Sequence, residues 1–135
     1  MFVKNARKKI GVLKMIYEFT IHQRLPSLND YINKCKHNRH IAAKFKSQID
    51  RNICWEILAQ LRDIRITKPV IIHITWVEEN KRRDVDNVYS AIKYIQDALV
   101  KMQVLANDGV KNVIDVDNKI VYAKESKVIV KIEEL

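Results

Sequence analysis

The alternation of apolar and polar residues predicts where the strands of this chain lie. Residues 14–22 alternate in this way, which is the period of a strand with one buried face. Residues 70–77 are rich in β-branched side chains and almost wholly apolar, as in a central strand that is covered on both faces. Residues 119–123 and 127–133 are separated by a short polar stretch, and we predict that they form a closing hairpin.

Two stripes of apolar residues at helical spacing predict the main helices. The first stripe lies between residues 38 and 61, a stretch without proline or glycine, and consists of Phe45, Ile49, Ile53, Ile57 and Leu61. The second consists of Val88, Ile92, Ile95, Leu99 and Met102. The order β, α, β, α, β, β predicts an α+β domain, in which a mixed β-sheet of about four strands packs against two main helices.

Composition and charge limit the class of protein and point to a partner. A chain of 135 residues, 47% of them hydrophobic, is the size of one domain, and we assign residues 14–135 to it and residues 1–13 to a basic N-terminal arm. Lysine and arginine outnumber acidic residues 25 to 16, giving a net charge of +9, which attracts polyanions such as nucleic acid. No stretch approaches the roughly 20 apolar residues of a membrane span, and we expect a cytoplasmic protein without membrane partners.

The cysteines and histidines do not form a complete metal motif. Cys35, His37 and His40 lie close together in a lysine-rich stretch, but one thiol and two imidazoles fall short of a zinc site. Cys54 is isolated, and two cysteines without a disulfide pattern fit a reduced compartment. His73 lies inside the predicted central strand, where we interpret it as a buried histidine with hydrogen-bond partners rather than as a ligand.

Paired acidic residues follow the central strand, and they are the best candidates for chemistry. Asp84 and Asp86 are two residues apart, so an extended chain directs both side chains to one face. Carboxylates held in this way are the ligands that Mg²⁺ prefers. The preceding Lys81, Arg82 and Arg83 are suited to binding phosphate. An ordinary charged turn has the same composition, and the residues alone leave this alternative open.

Lys93 has two interpretations. In a helix that begins at Asp86, the residues Asp86, Ser90, Lys93 and Asp97 follow one line, which directs Lys93 toward a metal site and a substrate phosphate. Lys93 and Asp97 are also an ordinary exposed i,i+4 ion pair.

The motif Arg83-Asp84-Val85-Asp86-Asn87, a helix with Lys93 before Asp97-Ala98-Leu99, and the later Asp108 together resemble the RusA family of Holliday-junction resolvases. Pro26-Ser27-Leu28-Asn29 and Tyr31 match that family more loosely. The resemblance covers residues 14 to the carboxyl end. It implies a RusA-like fold and a homodimeric endodeoxyribonuclease, often encoded by prophages, that resolves four-way DNA junctions in recombination and repair by paired symmetric nicks.

The resemblance also implies the roles of individual residues. Asp84, Asp86 and Asp108 are then catalytic ligands of Mg²⁺, for which Mn²⁺ is an expected substitute, and Lys93 assists at the phosphate. Independently of the resemblance, the accumulation of basic residues after the first strand makes that stretch a candidate DNA-contacting surface. We expect the DNA to be bound by a set of polar and basic residues: Arg24, Asn29, Lys34, Lys36, Arg39, Lys44, Lys81, Arg82 and Arg83.

Two departures from the family pattern keep a second hypothesis open. Asn107 replaces an aspartate that often precedes the essential one, and the stretch from Asp86 to Lys93 is longer than in the best-known members. The alternative is a protein that binds branched or single-stranded DNA without cutting it. A weaker alternative is a structural or interaction protein whose charge only confers solubility. Asp115 and Asp117 repeat the Asp-Val-Asp-Asn motif, and we interpret them as capping a turn, with metal binding in reserve.

Overall fold

The computed structural model describes residues 3–9 and 12–135, with side chains from residue 14 onward. These residues form five strands: β1 (Val3–Lys9), β2 (Val12–Ile21), β3 (Val70–Glu78), β4 (Val113–Tyr122) and β5 (Lys127–Glu134). They also form four helices: α1 (Leu28–His37), α2 (Arg39–Leu61), α3 (Val85–Tyr89) and α4 (Ile92–Lys101).

The strands form one mixed sheet in the order β1-β2-β5-β3-β4. β3 and β4 are parallel, and the other neighbours are antiparallel. The α+β class and the mixed sheet are therefore confirmed. The parallel pair is joined through α3 and α4, so the turn that carries Asp84 starts at the carboxyl end of a central strand.

The predicted closing hairpin is wrong, because β4 and β5 are not neighbours. β5 lies between β2 and β3, with Val130 opposite both Phe19 and Ile74. The connection between β4 and β5 crosses the end of β3, where Ala123 N donates to Glu78 O at 3.0 Å. Val128, Val130 and Ile132 are fully buried in this central position, which gives β5 hydrogen bonds on both sides and a covered face.

The first long helix is confirmed, and a shorter helix precedes it. α1 begins after Ser27, whose hydroxyl accepts from Asp30 N at 3.2 Å, while the Asp30 carboxylate accepts from Ser27 N at 3.0 Å. This capping box stabilises the first turn. α1 ends at His37, and the side chain of the next residue, Asn38, caps α2 by accepting from His40 N and Ile41 N. This short helix was not predicted from the basic stretch that forms it.

The second helix is broken into α3 and α4, although its apolar stripe runs across the break. Ser90 lies between them, and its hydroxyl donates to Asn87 O at 2.7 Å and accepts from Leu28 N at 3.1 Å. A serine that bonds to nearby backbone in this way competes with continuous helical hydrogen bonding. The break therefore also docks the start of α1 against the α3–α4 segment.

The core lies between one face of the sheet and helices α2 and α4. Its largest fully buried side chains include Phe19, Ile53, Trp76 and Leu99. Trp76 also donates from Nε1 to Asn118 Oδ1 at 3.0 Å, which satisfies its polar atom inside the core. Each such side chain contributes about 1.5–3 kcal/mol through burial, so the sheet is a rigid base for the turns at its ends.

The amino-terminal segment contributes a strand. β1 pairs antiparallel with β2 at the edge of the sheet, where Ala6 faces Met15. The prediction of a basic arm over residues 1–13 falls partly outside the described residues, since positions 1, 2, 10 and 11 are not described. Within the described residues, every helix is too short or too polar to span a lipid bilayer.

Candidate functional site

The turn after β3 is anchored by a buried ion pair. Arg83 donates from Nε and Nη2 to the Glu78 carboxylate at 2.8–3.0 Å, and from Nη1 to Leu25 O at 2.8 Å. The two side chains are only 13% and 8% exposed. Glu78 was not predicted as a partner of Arg83; its signal in the sequence is an acidic residue, followed by Glu79, at the end of an apolar strand.

This geometry gives Arg83 a structural role. Its guanidinium is committed to Glu78 and Leu25, so Arg83 holds the turn together, and its contact with DNA stays a prediction. Lys81 and Arg82 remain exposed on the same turn. The Lys81 ammonium lies 5.2 Å from the centre of the Tyr122 ring, a cation–π distance.

Asp84 and Asp86 lie at the start of α3. Asp84 is the N-cap residue with extended backbone and makes no side-chain capping hydrogen bond, and Asp86 lies in the first helical turn. Both residues are exposed. Because α3 begins at Val85, the chain is not extended through both aspartates, and the single-face alternation expected for an extended chain does not apply.

Lys93 joins the start of α4 to Asp108. Its ammonium lies 3.0 Å from Asp97 Oδ1 and 3.3 Å from Asp108 Oδ2, so the i,i+4 pair and the longer-range contact are present together. The hydrogen bonds from Lys93 to Asp97, and then to Asp108, raise the pKa of Lys93 above its usual value. Lys93 is therefore a fully charged cation that remains 54% exposed.

Asn107 shapes the turn that presents Asp108. Its Oδ1 accepts from Gly109 N at 3.1 Å, which is an Asx-turn. An aspartate makes the same turn, so this departure from the family pattern preserves the local backbone. Asp108 is 31% exposed, next to Lys93.

A magnesium site is only partly supported by these residues. Asp84, Asp86 and Asp108 supply the hard oxygen donors that Mg²⁺ requires. Within the described residues, however, no three histidine, cysteine or acidic side chains are grouped as metal ligands. The structure therefore assigns no metal, and Asp84, Asp86 and Asp108 stay predicted ligands.

The two stretches that carry the resemblance meet in space. Asn29 Nδ2 donates to Asn87 Oδ1 at 2.9 Å, and Leu28 N donates to Ser90 Oγ. The Leu25 carbonyl binds Arg83 from the same loop. The amino end of α1 is thereby fixed beside the turn that holds Asp84 and Asp86.

Three of the predicted DNA-binding residues line one groove. Arg24, Lys34 and Lys44 surround a groove of about 660 Å³ between the loop after β2 and helices α1 and α2, which we call the α1–α2 groove. Lys36 and Arg39 are exposed near the junction of these helices but do not line it. The structure thus brings Arg24, Lys34 and Lys44 together and leaves Lys36 and Arg39 outside.

The remaining candidates have other positions. His73 has the expected partners, with Nε2 at 2.9 Å from Glu133 Oε1 and Nδ1 at 3.3 Å from Asp117 Oδ2, but its side chain is 37% exposed rather than buried. Asp115 and Asp117 lie inside β4, so the interpretation that they cap a turn is wrong. Cys35, like His37 and His40, is exposed.

Comparisons with known proteins leave the family open. No protein-family model matches the chain, and no curated protein matches it. Among solved structures, it is similar to part of a chain in the crystal structure of a HypE-HypF complex, with 10% sequence identity and a TM-score of 0.39. That match covers 96% of this chain and 35% of the other, so this chain spans about a third of it. A likeness at this level carries no argument about function.

Proposed function

We propose that this protein is a magnesium-dependent endodeoxyribonuclease that cuts branched DNA, with four-way junctions as its substrate. The observation that carries the proposal is the 3.3 Å contact between Lys93 and Asp108. These residues are 15 positions apart in the chain. The resemblance implies both in catalysis, and their proximity is what a shared site requires.

A second observation supports the same assignment. The Pro26-Ser27-Leu28-Asn29 loop docks onto the Asp84–Asn87 turn through the Asn29–Asn87 and Leu28–Ser90 hydrogen bonds. Both stretches resemble the same family, and the fold brings them together. A loop held in this way places the basic α1 segment beside the acidic turn.

The chain's own residues suggest a division of roles. Lys81 and Arg82 are exposed cations that attract the phosphate backbone toward the acidic turn. Lys93, kept charged by Asp97 and Asp108, is available to a phosphate oxygen and stabilises the negative charge that grows during attack. Asp84 and Asp86 are exposed carboxylates and are the proposed metal ligands in this division of roles.

The homodimer is part of the same proposal. A four-way junction has near two-fold symmetry, and two symmetric nicks require two equivalent sites. The long edge strand β4 and the exposed Trp55 and Leu58 on α2 offer surfaces for a second copy.

Binding without cleavage is the second candidate function. It is favoured by the α1–α2 groove, which is lined by three cations and needs no metal to attract DNA. The grouping of metal ligands, by contrast, is not present among the described residues.

Cleavage of a synthetic junction tests the proposal. A labelled four-way junction and a linear duplex of the same sequence are incubated with the purified protein in magnesium, in manganese and in chelator. The nuclease proposal predicts paired nicks in the junction alone, present with either metal and absent with chelator. Tight junction binding without nicks in any condition contradicts it and favours the binding protein.

A further inference from the structure

The α1–α2 groove is lined by apolar as well as basic side chains. We call Ile41, Phe45 and Ile49 its apolar floor and Arg24, Lys34 and Lys44 its basic rim. Phe45 is half-buried. The Lys34 ammonium lies over the Phe45 ring, 5.0 Å from its centre. A base that stacks on Phe45 therefore displaces this ammonium, whose long side chain can turn to a phosphate. Aromatic side chains in a positively charged groove are the surfaces on which unpaired bases stack.

One wall of the groove is a chain of three amides. Gln48 Nε2 donates to Asn52 Oδ1 at 2.9 Å, and Asn52 Nδ2 donates to Gln23 Oε1 at 3.0 Å. A primary amide has two N–H donors and a carbonyl acceptor. The chain therefore ends in the donors of Gln23 on one side and the acceptor of Gln48 on the other. The exposed edge of a nucleobase offers complementary donors and acceptors.

The groove is positively charged without local compensation. Among the described residues, those that line it include Arg24, Lys34 and Lys44 and no acidic side chain. The acidic residues that are close in sequence have other partners: Asp30 caps α1, Asp50 pairs with Lys101, and Glu56 binds His22. A phosphate at the rim therefore meets cations whose charge is not neutralised by carboxylates in the groove.

The groove is connected to the acidic turn through one residue. Leu25 lies between the groove residues Arg24 and Pro26, and its carbonyl accepts from Arg83, the neighbour of Asp84. A DNA strand that leaves the groove along this loop passes toward the α3 turn. The volume of about 660 Å³ is in the range of sites for a single small ligand.

We propose that the α1–α2 groove binds one unpaired DNA nucleotide, with its base on Phe45, its edge at the Gln48–Asn52–Gln23 amides and its phosphates at Arg24 and Lys44. The inference that this nucleotide belongs to the branch point of a junction rests on the proposed function. Binding of an unpaired nucleotide itself does not depend on cleavage.

Binding in chelator tests the groove apart from the nuclease. Fluorescence anisotropy measures the affinity of the protein for a labelled oligo(dT) and for a blunt duplex of the same length. Phe45→Leu keeps the floor apolar but removes the ring, and we expect it to weaken oligo(dT) binding about fivefold or more and leave duplex binding unchanged. An equal affinity of Phe45→Leu and wild type for oligo(dT) overturns the proposal.

A pair of surface variants keeps the test decisive if Phe45→Leu does not fold. Gln48→Glu places a negative charge on the groove wall, and Ala59→Glu places the same charge at an exposed position of α2 outside the groove. We expect Gln48→Glu to weaken oligo(dT) binding several-fold more than Ala59→Glu. Equal losses for the two variants overturn the groove assignment.

The two proposals fail in different ways. If the protein binds oligo(dT) through Phe45 but cuts no junction, the groove proposal holds and the nuclease proposal is contradicted. If the protein cuts junctions but Phe45→Leu and Gln48→Glu bind oligo(dT) like the wild type, the nuclease proposal holds and the groove proposal is contradicted.

Discussion

Arg83 and Glu78 form a buried ion pair in which the guanidinium donates from two nitrogens to one carboxylate at 2.8–3.0 Å. Glu78 is the last residue of β3, and Arg83 immediately precedes Asp84. The pair therefore fixes the loop between the central strand and the acidic turn. The further bond from Arg83 to Leu25 O links this loop to the one that leads into α1.

Removing one partner of this pair is expected to destabilise the fold. Arg83→Ala leaves the Glu78 carboxylate buried without its cation, and we expect a loss of about 3–5 kcal/mol in the free energy of unfolding. Urea denaturation followed by circular dichroism measures it. Arg82→Ala is the matched control, because Arg82 is exposed one residue away. Equal stability of the two variants contradicts the structural role of Arg83.

Arg82 is expected to act on DNA and not on stability. Loss of one phosphate contact lowers the slope of log affinity against log salt by about one. We expect Arg82→Ala to weaken junction binding and to flatten this salt dependence in chelator, measured by anisotropy. Arg65→Ala removes an equal charge from the exposed segment between α2 and β3. Identical salt slopes for the two variants contradict a DNA contact at Arg82.

Substitution of Lys93 distinguishes between its two interpretations, as a member of an exposed ion pair and as a catalytic cation. Its contacts with Asp97 and Asp108 are solvent-exposed and stabilise the fold by less than about 1 kcal/mol. If Lys93 acts on the phosphate, Lys93→Ala lowers the single-turnover cleavage rate by about a hundredfold or more, with junction affinity nearly unchanged.

Lys101→Ala is the matched control for Lys93. Lys101 ends the same helix, is similarly exposed, and forms an ion pair with Asp50 at 2.7 Å. We expect it to cleave at the wild-type rate. If Lys93→Ala also cleaves at the wild-type rate, a catalytic role is contradicted and Lys93 is only a member of an ordinary surface ion pair.

Glu133 is expected to make stability depend on acidity. The hydrogen bond from Lys14 at 2.7 Å, followed by that from His73, lowers the pKa of Glu133 below its usual 4.5. Ionised Glu133 thus stabilises the fold fully above pH 4.5, and this contribution is lost as the pH falls through the lower folded-state pKa.

Urea denaturation across a pH series checks this sign. The difference in unfolding free energy between wild type and Glu133→Gln is expected to shrink as the pH falls below 4.5. Glu125→Gln removes an exposed carboxylate from the turn before β5 and should show no such trend. A difference that grows as the pH falls below 4.5 contradicts the assigned pKa direction.

Much of the fold could be predicted because burial imposes a period on the sequence. The alternation before Ile21 and the stripe from Phe45 to Leu61 each indicate one buried face. The apolar run of β3 indicates a strand that is covered on both faces. The prediction of a hairpin was wrong because Lys124, Glu125 and Ser126 indicate that the chain turns, but not which strands pair after the turn. That choice depends on the whole sheet, in which β5 inserts beside β3.

The break at Ser90 and the role of Arg83 could not be predicted from the sequence, because both depend on contacts with distant residues. Ser90 bonds to Leu28, and Arg83 bonds to Leu25, both about 60 residues away in the chain. Local spacing carries no record of such contacts. Lys34 and Lys44 were found from the charge of the stretch that carries them, but the groove that they share with Arg24 depends on the packing of α1 against α2.

The most direct test of the proposed function is cleavage of a four-way junction by Asp86→Asn in magnesium. We expect paired nicks by the wild type, none by Asp86→Asn, and junction binding by the variant that is unchanged or tighter, because a negative charge has left a phosphate site. Asp63→Asn, which changes an exposed aspartate outside the α3 turn, should cut normally. Undiminished nicking by Asp86→Asn, or no nicking by the wild type in either metal, would contradict the nuclease proposal.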